Sequence, residues 1–406
     1  MNYEFPLIRN ISDVLPAIAG RDEFIVAEKE GYTVINYNVM MADTFGHADI
    51  FTKMIPGAPE QYRYDNDALI RRECRGIIFD TATGEIIRRP FHKFFNVNER
   101  DETQDHRVDL SRDHRILEKL DGSMIAPFIV NGEMIWGTKM GATDVAKPVE
   151  QFVKNNPEYV RLAEDCIENG WTPIFEWCSR KQRIVLDYFH DQLVLTAMRN
   201  MNTGVYALHG NLEAIGLAYA IPVVRAFEMH DDMDMKAFLK YVHDLEDTEG
   251  FVVRFDDGHM LKLKCHWYLQ IHKAKEAILQ DRNIVELILE DKLDDVKAHL
   301  PAEDRDRLTK FESDINKAVS ISVSDIRIEL DSLLRNKVDR KDFALGRAKE
   351  VNDFYRPIIF RLFGREDVSR EEIDGLVRNT LRNNLGRTAK YEAIRDSWFP
   401  GVIFNV

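Results

Sequence analysis

The sequence predicts an α+β protein in which a part built on antiparallel strands precedes an all-helical part. In the first two-thirds of its 406 residues, short β-rich runs alternate with helical patterns, and Asn131-Gly132 and Asp257-Gly258 are typical of tight hairpin turns. From about residue 273 onward helical periodicity dominates, and no convincing strand appears before the last residues. We therefore expect a mixed domain at 1–274 and an all-helical domain at 275–406.

The individual elements follow from periodicity and from turn and cap residues. Runs rich in β-branched and aromatic residues predict strands at 32–37, 76–79, 124–130, 133–136, 173–177, 192–197, 250–255 and 260–264. Apolar residues at helical spacing predict helices at 145–168, 234–245, 283–300, 303–336, 341–363 and 369–383. Acidic residues after Pro301 and Asp367 favour helix starts, and Gly364 favours a helix end.

Charge and cysteine content narrow the functional classes. The net charge is -14, and the four cysteines form no C-x-x-C pair, which indicates reduced thiols in a cytoplasmic protein. No run of 18 apolar residues and no signal-peptide pattern is present, so we expect neither a membrane span nor secretion. Residues 71–100 carry seven Lys/Arg against four Asp/Glu, and residues 331–390 carry fourteen against ten. Ordinary solvated surface is the simplest interpretation of that excess.

The chemistry centres on the string Glu118-Lys119-Leu120-Asp121-Gly122. Asp121-Gly122 predicts a tight bend that places Lys119 at a strand end, facing a cleft. A lysine amine is a nucleophile only when it is neutral, and desolvation or nearby cations favour that form. Attack of such an amine on the α-phosphate of a nucleotide would give a phosphoramidate. On its own, however, a Lys-x-Asp-Gly string is more often a surface hairpin.

Four further charged positions lie in apolar surroundings. Lys262 and Lys264 are two residues apart on a predicted strand, so both side chains point to one face and form a plausible phosphate clamp, although an exposed pair is usually a solvated edge. Glu176 lies within an apolar run, where a carboxylate needs a partner: a structural salt bridge, or a ribose hydroxyl or metal ion. Glu249 opens another such run, either as a simple strand start or as a ligand of a divalent ion.

The segment between Arg71 and Asn96 interleaves arginines and a lysine with aromatic residues. This texture is common where a protein contacts phosphates and stacks on bases. A buried hairpin with basic edges explains it equally well.

Taken together, these residues resemble the covalent nucleotidyltransferase superfamily of ligases and capping enzymes. The superfamily motifs match Lys119-Leu-Asp-Gly122, Phe175-Glu176, Glu249-Gly250 and Lys262-Leu-Lys264, in the same order and with similar relative spacing. More closely, the chain is similar to the bacteriophage-type RNA ligase 1 family. That likeness is carried by Glu73-Cys-Arg75-Gly-Ile-Ile-Phe79, Arg89-Pro-Phe-His-Lys93-Phe-Phe-Asn96, Arg183-Ile-Val-Leu186 and Lys264-Cys-His-Trp267-Tyr268.

The resemblance implies a role for each matching position. Lys119 would be the adenylated nucleophile, held in its motif by Asp121 and Gly122, with Lys262 and Lys264 on the α-phosphate. The remaining positions are implied as follows: Glu176 and Arg75 on the ribose, Tyr37 and Lys93 toward the outer phosphates of ATP, Lys139 supporting them from a neighbouring strand, Glu249 and Asp294 associated with metal, and Tyr268 tied to ligation.

By the same resemblance, we expect an antiparallel-sheet nucleotidyltransferase (adenylyltransferase) domain followed by a helical domain that confers RNA specificity. The implied enzyme is an ATP-dependent RNA ligase that uses ATP with Mg²⁺, or Mn²⁺ in its place. It would join 5′-phosphate and 3′-hydroxyl RNA ends through lysyl-AMP and adenylated RNA. We further expect a monomer that repairs broken tRNA. Its expected location is the cytoplasm, which is the host cytoplasm if the chain is phage-encoded.

Other classes remain as alternatives. A DNA ligase or capping enzyme would share the nucleotide motifs, but the last third of the chain lacks a β-barrel pattern. A non-catalytic RNA-binding protein would need neither Lys119 nor the two glutamates Glu176 and Glu249. A P-loop kinase is disfavoured because no G-x-x-x-x-G-K-[ST] string occurs.

Overall fold

A computed structural model describes residues 3–41, 43–46, 49–51, 61–63, 65–228 and 233–404. The chain divides into two compact units, Met1–Leu269 and Gln270–Val406. The boundary falls within one helix, His266–Ala277, whereas the sequence placed it after residue 274. Within the described ranges no helix is long and apolar enough to cross a membrane.

The first unit contains the strands. They are β1 Phe24–Lys29, β2 Tyr32–Tyr37, β3 Asp49–Phe51, β4 Gln61–Arg63, β5 Arg75–Asp80, β6 Ile86–Arg88, β7 Phe95–Asn96, β8 His114–Glu118, β9 Ser123–Val130, β10 Glu133–Gly137, β11 Trp171–Cys178, β12 Gln192–Asn200, β13 Ala226–Phe227, β14 Gly250–Phe255 and β15 Met260–Lys264. Its helices are α1 Leu15–Ile18, α2 Asn66–Glu73, α3 Lys147–Asn155, α4 Pro157–Glu168, α5 His209–Tyr219 and α6 Met235–His243.

Helices alone build the described part of the second unit. They are α7 His266–Ala277, which begins in the first unit, α8 Asp281–Leu289, α9 Leu293–Lys297, α10 Ala302–Arg335, α11 Arg340–Leu345, α12 Arg356–Leu362, α13 Arg370–Asn384 and α14 Thr388–Trp398. Buried side chains recur every three or four residues along the 34-residue α10, which gives that helix one apolar face. The core of the unit forms on this face, against α12, α13 and α14.

The strands form three larger sheets and one small one. The first sheet has the order β1-β2-β5-β6, the second β10-β9-β11-β12, and the third β13-β8-β14-β15-β7, while β3 pairs with β4. Neighbouring strands are antiparallel except β7 and β15. The predicted fold class is therefore confirmed: a part built mainly on antiparallel strands is followed by a helical region.

Several predicted boundaries need correction. The helix predicted at 145–168 is interrupted at Asn156, because the proline that follows, Pro157, restricts that residue and begins α4. The helix predicted at 341–363 is divided into α11 and α12, and the one at 283–300 into α8 and α9. The Asn131-Gly132 hairpin is confirmed, with φ of 52° and 79°, but Asp257-Gly258 lies in a four-residue connection between β14 and β15.

A buried carboxylate joins parts of the first unit that are distant in sequence. Glu73, at the end of α2, accepts hydrogen bonds from Arg89 at 3.1 Å and from Arg199 at 2.7 and 2.8 Å. All three side chains are almost completely excluded from solvent. Burial raises the pKa of Glu73, but the two arginines outweigh burial and lower that pKa to about 2. The buried Glu73 carboxylate therefore needs both arginines in place. Because Glu73 ends α2 and Arg199 lies on β12, these contacts fix α2 against β12.

A third buried arginine, Arg88, joins two sheets and has no carboxylate partner among the described residues. The guanidinium of Arg88 donates to the carbonyl oxygens of Gly76, Ala126 and Thr138. Gly76 has a φ of 91°, and a β-carbon there would lie 2.7 Å from the carbonyl oxygen of Lys139. The first and second sheets are therefore in direct backbone contact beside this arginine, and glycine is required at position 76.

We predict that Glu73→Gln destabilises the protein by about 3 kcal/mol, because one neutral amide would leave two buried guanidinium groups poorly compensated. The matched control is Glu133→Gln, at an exposed position in β10. Because the folded pKa of Glu73 is lower than its usual 4.5, its contribution is complete above pH 4.5 and is lost as pH falls toward about 2. Denaturant unfolding at pH 7 measures the difference, and equal midpoints for the two variants would contradict it.

Candidate active site

Lys119 lies directly after β8 and continues its pairing with β14. Its backbone N–H donates to the carbonyl oxygen of Gly250 at 2.9 Å. The preceding Glu118 is held by the opposite edge, where its N–H donates to Arg225 and its carboxylate pairs with the Arg225 guanidinium at 3.0 Å. The nucleophile candidate therefore has a backbone position fixed by neighbouring strands, as the sequence predicted for a lysine at a strand end.

One carboxylate bridges two of the predicted lysines. Oε1 of Glu249 lies 2.6 Å from Nζ of Lys119 and 2.9 Å from Nζ of Lys264, and the Glu249 side chain is 3% exposed. The three residues come from the adjacent strand ends of β8, β14 and β15. Gly250 makes this approach feasible, since a β-carbon at that position would lie 2.0 Å from the carbonyl oxygen of Leu263.

A cavity of about 260 Å³ opens beside Lys119. Of the predicted site residues, Arg75, Lys119, Gly122, Glu176, Lys262 and Lys264 line it. Apolar side chains complete the wall, namely Phe91, Phe94, Leu117, Leu120, Met124, Val224, Val252 and Met260. A mostly apolar wall with a few converging charges is the usual make-up of a site for a small ligand.

Glu176 lies on β11 and faces this cavity. Burial raises the pKa of its carboxyl to about 7, with the negative charge of Glu249 adding to the rise and Lys119 and Arg75 opposing it. The carboxyl is thus close to half-protonated at neutral pH. It can donate or accept a hydrogen bond, which suits contact with a hydroxyl group.

Lys262 is a half-buried cation of the cavity. Its Nζ lies 4.5 Å from the ring centroid of Phe94, within cation–π distance. Burial lowers its pKa well below the ordinary value, and the charges of Arg75, Lys93 and Lys119 lower it further. The positive charges around Lys262 therefore outweigh the negative charges of the nearby carboxylates.

The Asp121-Gly122 bend joins two sheets, so the alternative interpretation of the string as a surface hairpin does not apply. The strand before it, β8, belongs to the third sheet, and the strand after it, β9, belongs to the second. Oδ2 of Asp121 accepts the N–H groups of Val185 and Leu186, both at 2.7 Å, and Oδ1 accepts the hydroxyl of Tyr268 at 2.7 Å. A β-carbon at Gly122 would lie 2.4 Å from the carbonyl oxygen of Trp177.

Three predicted residues form a separate cluster. The ring of Tyr37 lies 5.7 Å from Nζ of Lys93 and 5.7 Å from Nζ of Lys139. Lys139 lies in the turn after β10, between Thr138 and Gly141, and not on a strand as the sequence suggested. Lys93 also acts electrostatically on Lys262, which places the cluster beside the cavity.

The two predicted metal residues lie in different units. Glu249 belongs to the first unit, where its Oε1 contacts two ammonium groups. Asp294 belongs to the second, where its side chain is 92% exposed and lies 3.4 Å from Nζ of Lys297. Within the described ranges, no three His, Cys, Asp or Glu side chains form a group that could hold a metal. This donor set fits an ion held mostly by substrate oxygens and water, with Glu249 as a single protein ligand.

Arg254 is a residue of the site that the sequence analysis missed. It lines the cavity and is 5% exposed, and burial lowers its pKa to about 10. Nη1 makes one long hydrogen bond, 3.5 Å, to Thr196, and Nη2 has no hydrogen-bond partner among the described residues. The available signal was Arg254 itself, a charge within the apolar run of β14 and on the same face as Val252.

Comparison with known proteins agrees with this geometry. The sequence profile of the RNA ligase family matches residues 73–268. A putative RNA ligase of Thermovibrio ammonificans is 30% identical over 303 residues, which cover 71% of this chain and 77% of that protein. RNA ligase 1 of bacteriophage TS2126 is 26% identical, with 66% of this chain and 62% of the phage protein covered.

The solved structures are more distant. An archaeal ATP-dependent RNA ligase aligns with a TM-score of 0.42 and 14% identity, over 68% of this chain and 64% of the archaeal one. Assignment of a family therefore depends on the sequence matches.

An antiparallel-sheet fold with a cation-rich cavity around one strand-end lysine defines a protein of the nucleotidyltransferase class. Within that class, the chain belongs to the phage-type RNA ligase 1 family.

We predict that Glu176→Gln stabilises the folded protein at neutral and alkaline pH. Folding raises the pKa of this acid from 4.5 to about 7, so its ionisation opposes folding increasingly as pH rises through that window. The gain should be near zero at pH 4 and reach about 1–3 kcal/mol at pH 8. Unfolding midpoints of both proteins across this range test it, and a gain independent of pH would contradict the assignment.

Proposed function

We propose that the chain joins RNA ends with ATP through a covalent lysyl-AMP on Lys119. The observation that carries the proposal is the set of contacts around this lysine. Its Nζ is 2.6 Å from Glu249, a second lysine shares the same carboxylate oxygen, and the cavity beside them contains Glu176, Arg75 and Lys262. Phosphoryl transfer asks a protein mainly to position the reactants and to stabilise charge, and this arrangement suits both.

In the first step Lys119 gives up a proton and attacks the α-phosphate of ATP. The Glu249 carboxylate lies within proton-transfer distance of Nζ. A nitrogen–phosphorus bond forms, the bond from the α-phosphate to the bridging oxygen breaks, and pyrophosphate leaves. Lys262 and Lys264 stabilise the negative charge on the α-phosphate during this exchange, while Glu176 and Arg75 hold the ribose, and Tyr37 and Lys93 orient the outer phosphates.

Two further transfers complete the reaction. The AMP group passes from Lys119 to the 5′-phosphate of an RNA end, which restores the free amine. A 3′-hydroxyl then attacks that 5′-phosphate, a phosphodiester bond forms and AMP leaves. The first two steps take place at the phosphorus of AMP and the third at the phosphorus of the RNA 5′-phosphate, and in each step the lysines stabilise negative charge on the phosphate oxygens.

A divalent cation, Mg²⁺ or Mn²⁺, supplies neutralisation of phosphate charge when it is bound. Glu249 would hold it from the protein side, and phosphate oxygens would provide most of the other ligands. Asp294 is the less direct candidate, since its carboxylate is exposed on α9.

We extend the proposal to broken tRNA as the RNA that carries 5′-phosphate and 3′-hydroxyl ends, with the second unit as the specificity domain of a cytoplasmic monomer. The support is the family resemblance, together with exposed cations in residues 331–390, such as Arg335, Lys337 and Lys341. Many other arginines of this stretch are paired with acidic neighbours, as Arg365 is with Asp367 and Glu372.

We expect wild-type protein to become labelled when it is incubated with α-labelled ATP and a divalent ion. The label should resist denaturation, be released by acid, and be absent from Lys119→Ala. Lys147→Ala is the matched control, because that lysine is 73% exposed and pairs only with Asp144 among its described contacts. An unlabelled wild type, once shown to be free of pre-bound AMP, would refute the proposed chemistry.

Arg254 yields a separate prediction about nucleotide binding. The register of β14 and β15 places it about 14 Å from Gly250 along the strand, beyond Lys262, at the end of the cavity away from Lys119. Its free Nη2 would donate to an acceptor nitrogen of the base. Arg254→Met should therefore raise the KM for ATP in lysyl-AMP formation by about 10- to 100-fold and change kcat little. An unchanged KM would show that this guanidinium is only structural.

A further inference from the structure

The segment that connects β11 to β12 carries an exposed ring that the proposed chemistry does not use. We name residues 179–191 the 179–191 loop. Its Phe189 is 93% exposed, more than any other large hydrophobic side chain of the described residues. Burial of an aromatic ring against a partner is favourable, so the exposed ring is available to bind one.

The 179–191 loop is anchored to the strand end that carries Lys119. The backbone N–H groups of Val185 and Leu186 bind the Asp121 carboxylate, and the hydroxyl of Tyr188 accepts the Asp121 N–H at 2.8 Å. Phe189 follows three residues after Leu186, so at most about 11 Å of chain separates it from that anchor. The exposed ring is therefore presented close to the nucleophile.

The same loop also carries three cations. Arg180, Lys181 and Arg183 are all exposed. Nε of Arg180 and Nη1 of Arg183 approach the carboxylate of Asp187 at 3.7 and 3.5 Å. Exposed ion pairs at such distances contribute little to stability, so an incoming phosphate can take the place of Asp187 at small cost.

We propose that the 179–191 loop docks the RNA strand whose end is sealed. Phe189 stacks on a base near that end, and Arg180, Lys181 and Arg183 contact the backbone phosphates. An exposed aromatic ring among cations is the usual arrangement for binding single-stranded nucleic acid. A protein-binding surface would instead present a contiguous apolar patch, whereas Phe189 stands between the half-buried Tyr188 and the exposed His190, with Asp187 and Asp191 next to them. This inference depends on the proposed ligase function.

The test measures two reactions of the same full-length variants. Lysyl-AMP formation with labelled ATP needs no RNA, while ligation of a 5′-phosphorylated single-stranded oligoribonucleotide does. Phe189→Ala should leave the first unchanged and raise the KM for RNA in the second by about 5- to 150-fold. Phe189→Trp should restore the KM, because it keeps a stacking surface. Leu217→Ala, at an 86% exposed position on α5, should change neither reaction.

Salt dependence separates the ring from the cations. Lys181→Ala should lower the slope of log KM against log salt concentration by about 0.7, the value for one lost contact to a single-strand phosphate. Phe189→Ala should keep the wild-type slope, because stacking releases no counterions.

A wild-type KM for RNA in Phe189→Ala, with lysyl-AMP formation intact, would overturn the proposal and leave the ring to a protein partner. Loss of lysyl-AMP formation in Phe189→Ala would also overturn it, because the ring would then act on the nucleotide step or on folding. Failure of the wild type itself to form lysyl-AMP would instead refute the ligase function on which the proposal depends.

Discussion

Asp121 is the constraint on which the arrangement of the site depends, because it fixes two separate segments, the 179–191 loop and the start of α7, beside the nucleophile. Its two oxygens bind the backbone of Val185 and Leu186 and the hydroxyl of Tyr268, while its own N–H binds Tyr188. None of these bonds can be kept if the chain after Lys119 moves. Asp121 therefore positions the backbone next to Lys119. It does so through contacts with the 179–191 loop and with Tyr268, which are distant from it in sequence.

The sequence predicted best what depends on local periodicity. Lys262 and Lys264 share a face because side chains alternate along a strand, and the structure places both beside Lys119. The sequence could not predict that one oxygen of Glu249 contacts two lysines, because that contact depends on the register of three strands. Local periodicity also gave one wrong prediction. The apolar spacing continues through Asn156 and predicted a single helix, but the proline that follows divides it into α3 and α4.

The basic and aromatic segment between residues 71 and 96 had two interpretations: contact with phosphates and bases, or a buried hairpin with basic edges. In the structure, some of its basic residues are buried and others face the cavity. Arg72, Arg88 and Arg89 are buried and bind carboxylates or backbone carbonyls of the protein itself. Arg75 lines the cavity, and Lys93 lies beside it. The mixture of basic and aromatic residues in this segment therefore has two roles. Some of its arginines hold the protein core together, and other basic residues face the cavity.

Charge balance explains why the site is incomplete without a polyanion. The cavity is lined by five basic residues, Arg75, Lys119, Arg254, Lys262 and Lys264. Of the carboxylates, Glu118 lines the cavity and pairs with Arg225, Glu176 has its pKa raised to about 7 by burial, and Glu249 is shared between two lysines. This excess of positive charge, together with burial, keeps the pKa of Lys262 low. A bound triphosphate would supply the missing negative charge and favour the ammonium form of Lys262, so binding and protonation at this site support each other.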